Sequence, residues 1–138
     1  MPCYNAGIQT ETEIEKMAKL DSRAVKFFDN LLMDIFKLKS PVKTVLVRAV
    51  KLDGQNCYAA YFGTKYSRKH FNHRVLISRK MITDYEALFA AMAHEYIHAW
   101  QMERNKRLTH SDGSGFGPWV RHFRNEWNLD VILMMSIN

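Results

Sequence analysis

Cysteine is scarce in this chain: Cys3 and Cys57 are its only thiols. Two are too few for a disulfide framework or a four-thiolate metal site, which leads us to expect a reducing, intracellular setting. Long apolar runs are missing too. Ala87–Ala93 runs straight into His94-Glu95, far short of the ~18 consecutive apolar residues that a membrane helix needs, so no membrane partner is expected. No basic segment followed by an apolar run opens the chain, so no secretory signal is expected. Internal repeats and low-complexity linkers are absent, and residues 1–138 read as one domain with a loose arm over Met1–Gln9. Acidic residues are outnumbered, with 14 Asp and Glu against 20 Lys and Arg, a formal net charge of +6. The excess is concentrated in residues 65–107, which hold nine basic against four acidic side chains. Such a cluster attracts polyanions, nucleic acid among them.

What the chain does have is a 47% apolar fraction, enough for a real core, and a pattern that changes period along its length. From Thr10, apolar residues recur at three- and four-residue steps through Ile14, Val25, Phe28, Leu32 and Phe36. This predicts a short helix, an interruption at Asp21-Ser22, and a longer helix ending near Leu38, before Pro41. A short β-branched run at Thr44–Val50 and further strand-like runs at Cys57–Phe62 and His73–Ser78 follow, with a turn signal at Asp53-Gly54 and a basic, aromatic loop over Gly63–Phe71. They predict a small three-stranded, mainly antiparallel sheet, because no connection is long enough for a helical crossover. From Thr83, paired with Glu86 as a capping box, an amphipathic helix is expected to run to about Met102. A last helix is expected from Phe116–Pro118 onward, with Trp119, Phe123 and Trp127 in the core alongside Trp100. Val131–Met135 forms an apolar end that must pack as strand or helix. The fold class is α+β.

The chemistry gathers in the second of these long helices. His94-Glu95-Tyr96-Ile97-His98 is an HExxH motif. Histidines four apart on a helix project from one face, so both imidazoles reach one ion, and the Glu between them stands ready to take a proton from bound water. Zinc suits two imidazoles plus one further nitrogen or oxygen ligand, with the fourth position left for water. That third ligand is His110 or Asp112, both in the Gly/Ser loop before the last helix; His70, His73 and His122 are further histidines to consider. The loop residues Lys65, Tyr66, Arg68, Lys69 and Phe71 interleave cations with aromatics, as a surface for single-stranded nucleic acid does.

The string Ala93-His94-Glu95-Tyr96-Ile97-His98-Ala99-Trp100-Gln101, followed by a glycine-rich loop and an aromatic helix, resembles the SprT-like (Spartan-type) zinc metalloprotease domain. The resemblance spans about Asp21 to Trp127, with motif-grade identity only in the HExxH helix and the loop after it. It implies one zinc per chain, a protein or peptide substrate, DNA-associated or DNA-crosslinked proteins as targets, and Glu95 as general base for amide hydrolysis. The family writes its third ligand as His-Gly-x-x-Phe. The matching frame here is Asp112-Gly113-Ser114-Gly115-Phe116, with aspartate in the histidine slot and His110 two residues earlier. Either His110 binds from a shifted loop, with Asp112 behind the ligands, or Asp112 binds through oxygen. With two cysteines no C-terminal zinc ribbon is expected, and a minimal domain of this size would suit a compact genome such as that of a virus or mobile element, acting at a nucleoid or in an infected host cell. Two alternatives stand beside the protease: a binding or structural protein that keeps the metal site without turnover, and a basic nucleic-acid-binding module.

Overall fold

The first helix, α1, runs unbroken over Glu11–Phe36, so the expected interruption at Asp21-Ser22 does not occur. The computed structural model describes residues 11–132, with side chains from residue 22 onward; the arm at Met1–Gln9 and the end at Leu133–Met135 lie outside the described residues. Val25, Leu32 and Phe36 share the buried face of α1, while Phe27 points away from it. The helix ends where Lys37 takes a left-handed φ of 51° and donates its N–H to Met33 O at 2.9 Å, just ahead of Pro41.

Five strands follow: β1 (Val42–Val47), β2 (Val50–Leu52), β3 (Gln55–Cys57), β4 (Ala59–Lys65) and β5 (Phe71–Ser78). β5 is central, parallel to β1 and antiparallel to β4, so the three-stranded sheet is mixed and not mainly antiparallel. The parallel pair arises without a crossover helix. The β2–β3 hairpin and β4 carry the chain far enough for β5 to enter between β1 and β4. Asp53 and Gly54 both adopt left-handed φ (52° and 78°), as a two-residue hairpin turn requires, but they join β2 to β3 in a separate two-stranded sheet. The expected strands Thr44–Val50 and Cys57–Phe62 are therefore each divided, and the expected loop shrinks to Tyr66–His70 because β4 reaches Lys65 and β5 starts at Phe71.

Helix α2 (Tyr85–Glu103) is capped by Asp84, whose side chain accepts from Ala87 N at 2.7 Å, in place of the expected Thr83–Glu86 box. Every residue from Leu88 to Ala99 is buried. α2 is thus the central helix, covered by neighbouring elements on every side, and not an amphipathic surface helix. Helix α3 (Phe116–Trp127) starts at Gly115, with φ of 87° and the Trp100 ring lying where a Cβ would stand, so no other residue fits without displacement. Phe123 is fully buried and Trp100 and Trp119 pack against the core, but Trp127, in the last turn of α3, meets Phe89 of α2 only edge-on (5.7 Å) and is 40% exposed. Asp29 of α1 accepts from Thr44 Oγ1 (2.6 Å) and from the buried Tyr96 hydroxyl (2.5 Å), tying α1 to β1 and α2. Among the described residues, no helix is long and apolar enough to cross a membrane.

Candidate metal centre

His94 and His98 face the same side of α2, both buried, with ring centroids 5.2 Å apart. Small neighbours (Ala90, Ala91, Ala93, Ala99) let the surrounding elements close in around them. After α2 the chain turns back, and Gln101 organises the return. Its Nε2 donates to Thr109 O (2.8 Å), Ser114 O (3.3 Å) and Ser114 Oγ (3.0 Å). Those acceptors fix the amide orientation, so Oε1 faces His98 and accepts from its Nδ1 at 2.8 Å. One side chain thereby orients an HExxH histidine and anchors the loop that carries His110.

The loop brings His110 to within 3.3 Å of His94, Nε2 to Nε2. The ligand atoms of His94, His98 and His110 all lie within 4.8 Å of one another. Phe116, fully buried at the start of α3, packs against all three rings at centroid distances of 4.7–5.5 Å and walls the cluster with apolar surface.

The tautomers follow from the partners. Gln101 Oε1 and the Val131 carbonyl can only accept, so His98 Nδ1 and His94 Nδ1 (3.2 Å from Val131 O) both carry the proton. The lone pairs then sit on the Nε2 atoms. Burial, reinforced by the neighbouring His98, pulls the His94 imidazole down to about 3 from its ordinary range, so it is neutral at physiological pH and its Nε2 carries no proton. Neutral imidazoles with their outer nitrogens hydrogen-bonded are what a metal ligand needs. Zn–N bonds of ~2.0–2.1 Å at the tetrahedral angle would separate two ligand nitrogens by ~3.3–3.4 Å, and the His94–His110 separation fits that edge. The donor set fits a borderline-soft divalent ion. Glu95 is buried beside it, Oε2 at 4.0 Å from His94 Nε2: near the cluster and outside it.

Asp112, the alternative third ligand, is not with the histidines. Its side chain is 73% exposed and its Oδ1 lies 3.4 Å from Arg121 Nη1. The remaining histidines also fall elsewhere. His70 is exposed and meets Ser67 Oγ at 3.0 Å, and His122 packs edge-on to Trp119. His73 is buried in a second polar chain: its Nε2 donates to Glu103 Oε2 at 2.7 Å and its Nδ1 accepts from Tyr61 at 2.7 Å. Glu103 also takes the backbone N–H groups of Lys39 (2.6 Å) and Ser40 (3.0 Å), fastening the α1–β1 connection to the end of α2. Burial and the Glu103 carboxylate push the Tyr61 phenol up, so it stays protonated, its ring 6.4 Å from that of His98. The Tyr61 hydroxyl occupies the space a Gly63 Cβ would take.

Of the five basic-loop residues, Lys65, Tyr66, Arg68 and Lys69 are exposed. Phe71 is not. As the first residue of β5 it turns inward and stacks on His73 at 5.7 Å, so it offers no platform to a ligand. Gln101, Glu103 and the Val131 carbonyl are site residues that sequence reasoning missed. Gln101 had a signal, because three residues after His98 is the same helix face. No protein-family model, curated protein or solved structure matches the chain.

Proposed function

We propose that the protein is a zinc metallopeptidase of SprT-like layout, with His94, His98 and His110 as ligands and Glu95 as general base. The observation that carries this reading is the convergence of three imidazoles on one point with a buried carboxylate beside them. A purely structural site has no need of that carboxylate. A zinc ion held there supplies a Lewis acid and a water of lowered pKa. Glu95 takes the proton of the attacking water on its carboxylate and passes it to the leaving amine. Phe116 and the buried faces of α2 keep bulk water from the ligands. The peptide lies along β4, the edge strand of the mixed sheet whose Tyr61 ring is 6.4 Å from that of His98, and adds to it as a strand.

The exposed Lys65, Tyr66, Arg68 and Lys69 border that edge and favour a nucleic-acid contact, single-stranded DNA in particular, which would bring DNA-associated proteins to the site. The free, buried thiol of Cys57 accords with a reducing intracellular compartment.

The test is cleavage of an unfolded protein by zinc-loaded wild type and Glu95→Gln. The amide keeps shape and loses basicity, so zinc content and melting temperature stay and the rate falls by at least ~10²-fold. Equal cleavage by both proteins would falsify the mechanism. A wild type that binds zinc and cuts nothing leaves the binding-protein alternative.

A further inference from the structure

A cavity of about 280 Å³ opens beside His110 and runs along one face of α3. Its apolar lining is Phe116, Val120 and Ile132, and Arg121, beside Asp112, and Arg124 line it as well. Gly117, Arg121 and Arg124 fall at i, i+4 and i+7, so both arginines stand on the face of α3 that borders the cavity beside His110. At this volume it has room for one or two side chains.

The charge is unbalanced. Asp112 also lines the cavity and faces Arg121 at 3.4 Å, but these side chains are 73% and 55% exposed, so water screens the pair. Two guanidiniums against one screened carboxylate leave a net positive rim above an apolar floor. A glutamate side chain answers both: its methylenes cover the floor and its carboxylate accepts paired N–H bonds from a planar fork. Aspartate is shorter by one methylene, and a lysine or arginine meets like charge.

Resting on the peptidase reading, we infer that this cavity is a specificity pocket for a glutamate side chain next to the scissile bond of the substrate, held by Arg121 and Arg124. His110 forms the wall nearest the cluster, so a side chain in the cavity belongs to a residue adjoining the reacting carbonyl.

Binding tests this apart from turnover. Zinc-loaded Glu95→Gln protein is titrated calorimetrically with amidated peptides that differ only by Glu or Gln at one position, walked along an otherwise neutral sequence. At one position Glu binds at least about tenfold tighter than Gln, as a charge-assisted pair should, and the advantage shrinks with added salt. Arg121→Gln with Arg124→Gln removes the advantage, and Asp112→Asn enlarges it by releasing Arg121. Both arginines are exposed, and the Glu/Gln comparison on the unaltered pair decides the matter even where the variant is unstable. No difference at any position, including no binding at all, overturns the inference, as does a preference that survives in the folded double variant. A single-stranded oligonucleotide held by the same arginines more tightly than the Glu peptide reassigns them to phosphate and overturns it too. If wild type cuts nothing while the Glu preference stands, the peptidase reading fails and the pocket remains. Cutting with no Glu preference does the reverse.

Discussion

His94 and His98 each donate their Nδ1 proton to a fixed acceptor, and that decides which nitrogen faces the cluster. Gln101 is the more telling of the two acceptors, because it also holds Thr109 and Ser114 and hence places His110. Gln101→Ala should therefore lower zinc affinity by ~10–100-fold, the range for a group behind the ligands. His110→Ala should cost more than that, and Asp112→Ala nothing measurable, by competition against a chromophoric chelator. A larger loss at Asp112 than at His110 would move the ligand role to the aspartate. The choice between them was open in the sequence because a two-residue shift in a Gly/Ser loop costs little. The pins that settle the loop are side-chain bonds reaching back eight and thirteen positions. His94 also predicts a pH dependence. Its pKa falls from the ordinary 6.5 to about 3 on folding, so between those values the unfolded chain binds the extra proton. The stabilisation is complete above pH ~6.5 and lost as pH falls toward 3, amounting to roughly 3–5 kcal/mol. Denaturation of metal-free wild type and His94→Leu across that window isolates it. Parallel pH curves for the two proteins would contradict the assignment.

Element types follow from local pattern, and helix was legible over α1, α2 and α3 in that way, though not the continuity of α1 through Asp21-Ser22: residues three and four apart, a proline after the first helix, a proline in the first turn of the last. Pairing is not local. Nothing in Val42–Val47 marks β5 as its parallel neighbour, since that depends on where the β2–β3 hairpin and β4 deliver the chain. The burial of α2 on all sides was hidden for the same reason, because an alanine-rich helix gives little sign of how many neighbours will cover it. The stretch from Lys65 to Phe71 shows the consequence for function. Composition put two aromatics in one loop, whereas the β5 register sends Phe71 inward and leaves Tyr66 outside. The two should respond differently. Tyr66→Ala should weaken single-stranded DNA by ~1–3 kcal/mol with its salt dependence kept. Phe71→Ala should instead destabilise the fold by ~3–5 kcal/mol. Replacing Lys65, Arg68 and Lys69 together should flatten the log-affinity against log-salt slope by ~2, near 0.7 per lost phosphate contact. A slope that does not change removes these cations from any nucleic-acid interface.

At the scale of the whole molecule, the three-histidine cluster joins the loop after α2 and the chain at Val131 to the central helix. α1, the mixed sheet and α2 share a continuous apolar core with Tyr96 and Leu32 in its interior. The loop from Arg104 to Gly115 is mostly exposed and relies on Gln101, Ser111, Ser114 and the His110 contact. Val131 is held from the other side by His94. An ion shared by His94, His98 and His110 would therefore be linked to the closure of this loop over α2, and binding energy would appear as stability. With free zinc at 100 times Kd the gain is ~2.7 kcal/mol. For a domain of this size that raises the melting temperature by about 10 °C. A chelator should reverse the rise, and His94→Ala or His98→Ala should show none of it. Hydrogen exchange should locate the change: chelation should speed the amides of residues 104–115 while those of β5 and the middle of α2 keep their protection, because the core does not depend on the ion. Zinc that leaves the melting temperature of wild type unaltered, or that raises it equally in the two histidine variants, would mean that the three imidazoles do not share an ion.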